Sequence, residues 1–203
     1  MEISVSILKE KDNIDETVKK LNKTDCDYIH LDIMDNTFTD NYSFEISELL
    51  TVNTRKKFDV HIMSTNLDYQ VKEALKLNPE MITIHYEATP YLSKYMKLIK
   101  GRHIKVGLAI NPDTKIEEVK DYLNDIDLLL VMSVVPGAGG QPFIESTVDK
   151  LKEIDKDRKY LVSVDGGINN ETIKKVSKYV DIAVSGSYIT SSDDYQKQID
   201  LLR

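Results

Sequence analysis

His30-Leu31-Asp32-Ile33-Met34-Asp35 alternates polar and apolar side chains. A period of two belongs to a strand, and it puts His30, Asp32 and Met34 on one face with Leu31 and Ile33 on the other. Asp59-Val60-His61-Ile62-Met63 repeats the pattern, with Asp59, His61 and Met63 sharing a face. Ser163 and Asp165 do the same ahead of the turn Gly166-Gly167. Imidazoles and carboxylates on the inner face of three strands converge if those strands close into a barrel. Two His and two Asp then form a donor set for a divalent metal.

Outward from these stretches, runs rich in Ile, Val and Leu recur at Ile3 to Ile7, Asp27 to Ile33, Phe58 to Ile62, Met81 to His85, Lys105 to Ile110, Asp127 to Met132, Tyr160 to Val164 and Asp181 to Ser185. Between them lie segments with apolar spacings of three and four, such as Ile14, Val18 and Leu21, or Leu92, Tyr95, Met96 and Ile99. That spacing is the stripe of a helix packed on a core. Similar stripes are Val71, Leu75 and Leu77; Ile116, Val119 and Leu123; Val148, Leu151 and Ile154; and Ile173 with Val176. The second and eighth helices carry the weakest stripes. Eight β-then-α units predict an α/β fold, a single (β/α)8 barrel domain spanning residues 1–203. Asn111-Pro112-Asp113-Thr114 and Asn169-Asn170-Glu171 offer capping oxygens for the fifth and seventh helices.

With 27 basic and 34 acidic residues among 203, the formal charge is −7. This disfavours nucleic acid and anionic membrane as partners. The lone Cys26 forms no intramolecular disulfide and reads as a small buried residue. No apolar run approaches the roughly 20 residues of a membrane span. The expected compartment is the cytoplasm, and self-association is compatible with the composition.

Glycine turns follow the last three strands. Val135-Pro136-Gly137-Ala138-Gly139-Gly140-Gln141-Pro142-Phe143 lies after the sixth, Gly166-Gly167 after the seventh and Gly186-Ser187 after the eighth. Such turns let backbone amides approach an anion, and in these barrels the loops after strands seven and eight frequently hold phosphate. Ser6 lies on the inward side of the first strand, where its hydroxyl can reach a substrate. Met34, Met63 and Met132 end on the inner face as a polarizable, water-poor floor. His85 ends the fourth strand as support for the site or as a structural residue, and His103 lies at the opposite end with no assigned role.

Taken together, the quoted stretches resemble the ribulose-phosphate 3-epimerase family over nearly the whole chain. Val5-Ser6-Ile7-Leu8, Val131-Met132-Ser133-Val134-Val135-Pro136-Gly137 and Ser185-Gly186-Ser187 belong to the same resemblance. It implies a barrel of the ribulose-phosphate-binding type. It also implies a metal held by His30, Asp32, His61 and Asp165, with Asp32 and Asp165 as the acid/base pair. Substrate contacts are implied for Ser6, His61, Gly137, Ala138, Gly139, Gly140, Asp165, Gly166, Gly167, Gly186 and Ser187. The chain departs from the family where Asn36 replaces a usual glycine, Asp40 a common proline and Ala138 a frequent bulky aromatic.

The implied reaction inverts C3 of D-ribulose 5-phosphate to give D-xylulose 5-phosphate, through an enediolate stabilised by the metal. Zn²⁺ is favoured by the two imidazoles, with Fe²⁺, Mn²⁺ or Co²⁺ as alternatives. The small-molecule partner is a ketose phosphate. Two other readings stand beside it: epimerisation of D-allulose 6-phosphate, and a catalytically silent sugar-phosphate binder. A Schiff-base aldolase is disfavoured because no lysine ends a predicted strand at the catalytic face.

Overall fold

The computed structural model describes residues 1–203. Eight parallel strands pair in chain order and close on themselves. They are β1 (Glu2–Ser6), β2 (Tyr28–Met34), β3 (Lys57–Met63), β4 (Met81–His85), β5 (Lys105–Ile110), β6 (Leu128–Met132), β7 (Leu161–Asp165) and β8 (Ile182–Ser185). Helices α1 (Ile14–Leu21), α2 (Ile46–Leu49), α3 (Leu67–Lys76), α4 (Leu92–Lys100), α5 (Ile116–Val119), α6 (Thr147–Lys152), α7 (Ile173–Val176), α8 (Ser187–Thr190) and α9 (Tyr195–Asp200) surround them. This is the (β/α)8 barrel that the strand count predicts. No helix is long and apolar enough to cross a membrane.

The main core lies between barrel and helices. Outward-facing Ile29, Leu31, Ile33, Val60, Ile62, Ile82, Ile84, Leu129 and Val131 join helix residues such as Val18, Val71, Ile99 and Leu151 in one buried cluster. Helix α1 shows how sequence makes such an element. Val18 and Leu21 turn inward, Asp15 and Glu16 sit in the first turn, and Lys19 and Lys20 sit in the last, complementing the helix dipole.

Inside the barrel, Tyr28, Met81, Leu128 and Ile182 fill the bottom layer. Above them the interior divides. Ala109, Leu130, Met132, Val134 and Val184 form an apolar cluster from β5, β6 and β8. Ser4, His30, Asp32, Asp59, His61, Thr83 and His85 are buried polar residues of β1–β4.

Four strands start one residue later than expected, and β2, β6 and β8 do so for a common reason. Asp27, Asp127 and Asp181 precede β2, β6 and β8, and each carboxylate accepts the backbone N–H of a residue in the preceding strand, namely Ile3, Val106 and Val162 at 2.8, 2.8 and 2.7 Å. These aspartates clamp the bottom of neighbouring strands. Capping corrects two expectations. The Asn169 side-chain oxygen accepts from Glu171 and Thr172 N–H at 2.8 and 3.0 Å, in the turn that leads into α7, and does not cap the helix itself. No oxygen of Asn111 to Thr114 caps α5; Glu118 reaches back instead to the Lys115 N–H at 2.8 Å.

Candidate active site

Register decides which side chains meet. Ser6 pairs with His30, His30 with Asp59, Asp32 with His61, and Met132 with Asp165. Adjacent strands therefore present Ser6, Asp32 and His61 towards the same mouth as Asp165. His30 is mid-strand and lies one layer deeper than Asp32.

The ligating atoms of His30, Asp32, His61 and Asp165 all lie within 4.8 Å of one another. Asp32 Oδ1 is 3.4 Å from both His30 Nε2 and His61 Nδ1, and Asp165 Oδ2 is 3.9 and 3.7 Å from the same two nitrogens. Four tetrahedral ligands each about 2.0–2.2 Å from one ion would stand about 3.3–3.6 Å apart. His30 Nε2 and His61 Nδ1 are buried and lack hydrogen-bond partners. A buried polar atom without a partner is costly, and a cation between these atoms removes that cost. The residues present fit a divalent ion.

The remaining ring nitrogens explain why those two atoms are free. His30 Nδ1 lies 2.7 Å from Asp59 Oδ2, which also accepts from Ser4 Oγ at 2.9 Å. A carboxylate only accepts, so Nδ1 carries a proton there and Nε2 faces the cluster. On β3 the same result takes a longer chain. Glu87 Oε2 lies 3.1 Å from His85 Nδ1, and His85 Nε2 lies 2.9 Å from His61 Nε2. With its Nδ1–H given to Glu87, neutral His85 accepts the His61 Nε2–H and leaves His61 Nδ1 with its lone pair. Glu87 is itself held by Asn111 N–H and Thr114 Oγ at 2.8 and 2.5 Å.

Electrostatics then separate the two carboxyl groups. Asp165 is pushed up to about 7 by burial, with the nearby Asp32 charge adding to it. Asp32 is held far below the usual range: burial opposes this, but His30 beside it, with His61, favours the carboxylate. Burial lowers His61, and lowers His85 to about 4. In His30 burial works against the charged ring, yet Asp59 and Asp32 outweigh it and raise the imidazole well above its ordinary value. One carboxylate and one carboxylic acid side by side is the arrangement that lets one accept a proton while the other donates.

A cavity of about 460 Å³ opens over the cluster, lined by Asp32 and Asp165 together with Ser6, Met63 and Met132. Met34 is buried at the end of β2, in register with Met63. Ser6 Oγ donates to Asp32 Oδ2 at 2.6 Å. Gly137, Ala138, Gly139, Gly140, Gly166, Gly167, Gly186 and Ser187 line the cavity too.

Gly166 and Gly167 have φ of 116° and 65°. A Cβ on Gly167 would stand 2.7 Å from the Phe143 backbone nitrogen, so this turn demands glycine. Ser133 Oγ holds the turn through the carbonyls of Asp165 and Gly166 at 2.8 and 2.6 Å. At Gly186 the space is bounded by Ser6, which a Cβ would approach to 3.2 Å. Gln141 Nε2 staples the loop after β6 by donating to the Val135 and Ala138 carbonyls at 2.7 and 2.8 Å. Asn36 adopts a φ of 62°, a left-handed conformation that asparagine tolerates better than most residues, so the usual glycine is dispensable there. Asp40 and Ala138 are exposed.

Sequence reasoning gave no role to Asp59 or Glu87, and it missed Lys9 as a lining residue. Asp59 was legible in principle, being two residues before His61 on the same inward face. Glu87 and Lys9 lie in turns, where no periodicity marks them.

A closed barrel with imidazoles and carboxylates gathered beneath glycine turns defines the class of enzymes that work at the C-terminal mouth of a (β/α)8 barrel. Solved structures agree on the fold. Thiamine phosphate pyrophosphorylase from Pyrococcus furiosus superposes with a TM-score of 0.71 at 19% identity, covering 100% of this chain and 93% of the other. The 3-hexulose-6-phosphate synthase of Salmonella typhimurium gives 0.70 at 16%, covering 100% and 96%.

The profile of the ribulose-phosphate 3 epimerase family matches residues 2–190. Ribulose-phosphate 3-epimerase of Bacillus subtilis is 34% identical over 92% of this chain and 90% of its own. The proteins of that name from Buchnera aphidicola (Baizongia pistaciae) and Escherichia coli K12 are 39% and 32% identical, covering 87% and 93% of this chain and 82% and 88% of theirs. The chain belongs to the ribulose-phosphate 3-epimerase family, isomerases acting on carbohydrates.

Proposed function

We propose that this chain interconverts D-ribulose 5-phosphate and D-xylulose 5-phosphate by proton transfer at C3 between Asp32 and Asp165. The observation that carries this reading is the meeting of two carboxyl groups, Asp32 and Asp165, in one cavity and one ligand cluster. Ionised Asp32 removes the C3 proton on one face, and protonated Asp165 delivers one on the other. In the reverse direction they exchange roles. Ser6 fixes the second oxygen of Asp32, so that the other faces the cluster. Met63 and Met132 keep water from the planar anionic intermediate.

His30, Asp32, His61 and Asp165 would hold one divalent ion, taken as Zn²⁺ on the strength of the two imidazoles, with Fe²⁺, Mn²⁺ or Co²⁺ accepted by the two carboxylates. When bound, that ion stabilises the negative charge that develops on the ketose oxygens. Asp59, and Glu87 acting through His85, orient the two imidazoles. The amides of the Gly166-Gly167 and Gly186-Ser187 turns hold the phosphate, and the loop from Gly137 to Gly140 covers it. The partner is thus a small-molecule ketose phosphate, and the lone thiol Cys26 fits a cytoplasmic setting.

The test is turnover of pentulose and hexulose phosphates by protein replete with a divalent ion. D-ribulose 5-phosphate should have the higher kcat/KM. A higher value for D-allulose 6-phosphate, or equal use of unphosphorylated ribulose, overturns the assignment.

A further inference from the structure

Lys9 lies in the single 3-10 turn Leu8–Glu10 that follows β1. It is the only cationic side chain among those lining the cavity. Its stem runs along Gly139, where an added Cβ would stand 3.4 Å from both Lys9 Cγ and Cε. Its ammonium occupies the space that a side chain on Gly140 would need: a Cβ there would be 2.5 Å from Lys9 Nζ and 3.7 Å from Ser187 Oγ. Two successive glycines therefore make a berth for this one lysine, and the berth opens towards the Ser187 hydroxyl. Lys9 takes part in none of the ion pairs that engage other lysines of the chain, and it pairs with neither carboxylate of the cavity.

A chain of net charge −7 has no bulk attraction for a phosphate dianion. An ammonium without a carboxylate partner, resting on the loop that borders the cavity, supplies that attraction locally. Lysine suits the task as a compact point charge on a flexible stem. We propose that Lys9 is a specificity-determining residue, its ammonium reading the phosphate monoester of the substrate while its stem supports the Gly139–Gly140 turn. The inference rests on the sugar-phosphate reading given above.

Steady-state kinetics with D-ribulose 5-phosphate, and inhibition by inorganic phosphate, test it on the metal-replete parent, Lys9→Met and Lys9→Arg. Loss of a hydrogen bond to a charged group predicts a KM and a phosphate inhibition constant raised roughly ten- to hundredfold in Lys9→Met. The fall in kcat should be much smaller. Lys9→Arg should recover most of the loss, and kcat/KM of Lys9→Met should depend less on ionic strength than that of the parent. A Lys9→Met variant within twofold of the parent in both constants overturns the role of Lys9 and leaves the sugar-phosphate reading standing. So does a loss confined to kcat. A folded, metal-loaded parent that neither epimerises the ester nor binds inorganic phosphate overturns both.

Discussion

His61 offers Nδ1 to the cluster, and His30 offers Nε2. The choice is made outside the four ligands, by Glu87 through His85 and by Asp59. Replacing His85 by Phe keeps the ring volume beside Phe38 but removes the acceptor of the His61 Nε2–H. Metal affinity should then fall about 10–100-fold, the range for loss of such a supporting partner. Competition with a chromophoric chelator measures this, and an unchanged affinity in a folded variant would mean that the tautomer is set otherwise. The acid and base invite a blunter test. Asp32→Asn and Asp165→Asn should each lower kcat by at least about 10²–10⁴-fold, the contribution of a positioned proton-transfer group. Activity within a few-fold of the parent in either variant rules out a two-carboxylate mechanism.

At the scale of elements, the strands were legible because both of their faces carry a pattern. Outward Ile, Val and Leu must pack on helices, and inward His and Asp must meet one another, so the period of two is written twice. The helices were less legible. Ile116, Val119 and Leu123 read as one stripe, but α5 stops at Val119 and a 3-10 turn, Lys120–Tyr122, carries the chain on. Ile154 likewise falls beyond α6. Such four- to six-residue pieces are sustained by the barrel they cover more than by their own propensity. The loops above the mouth carry no such period. Those loops depend on glycine at few points. Gly167→Ala adds a Cβ against the Phe143 backbone at a φ of 65°, a clash that no side-chain rotamer relieves. Chemical denaturation should show a loss of about 1–3 kcal/mol. A loss below about 0.5 kcal/mol would mean that the turn rearranges freely.

For the whole molecule, the gathering of ionisable side chains from β2, β3, β4 and β7 against an apolar cluster of β5, β6 and β8 concentrates them where solvent cannot relax them. Binding an ion therefore has a proton balance. His30 and Asp165 both have raised values in the ion-free protein; His30 must lose its Nε2 proton to ligate, whereas Asp165 can ligate through one oxygen and keep on the other the proton it donates. Metal affinity should climb as pH rises from about 5.5 to about 8, with protons released on binding. Calorimetry in two buffers of different ionisation heat reads that release directly. The same raised values make the ion-free fold more stable at low pH from these groups alone. For Asp165 this contribution is complete below the unfolded value near 3.8 and is lost as pH rises through about 7. An affinity flat across this range would contradict the assigned ligands.

The central claim is that two carboxyl groups on opposite faces of one carbon exchange its proton with solvent. Incubation of the metal-replete protein with D-ribulose 5-phosphate in deuterium oxide, followed by NMR, tests this most directly. The account predicts D-xylulose 5-phosphate bearing deuterium at C3, formation that stops with a chelator and resumes when a divalent ion is restored. A folded, metal-loaded protein that yields no C3-deuterated pentulose phosphate would contradict it.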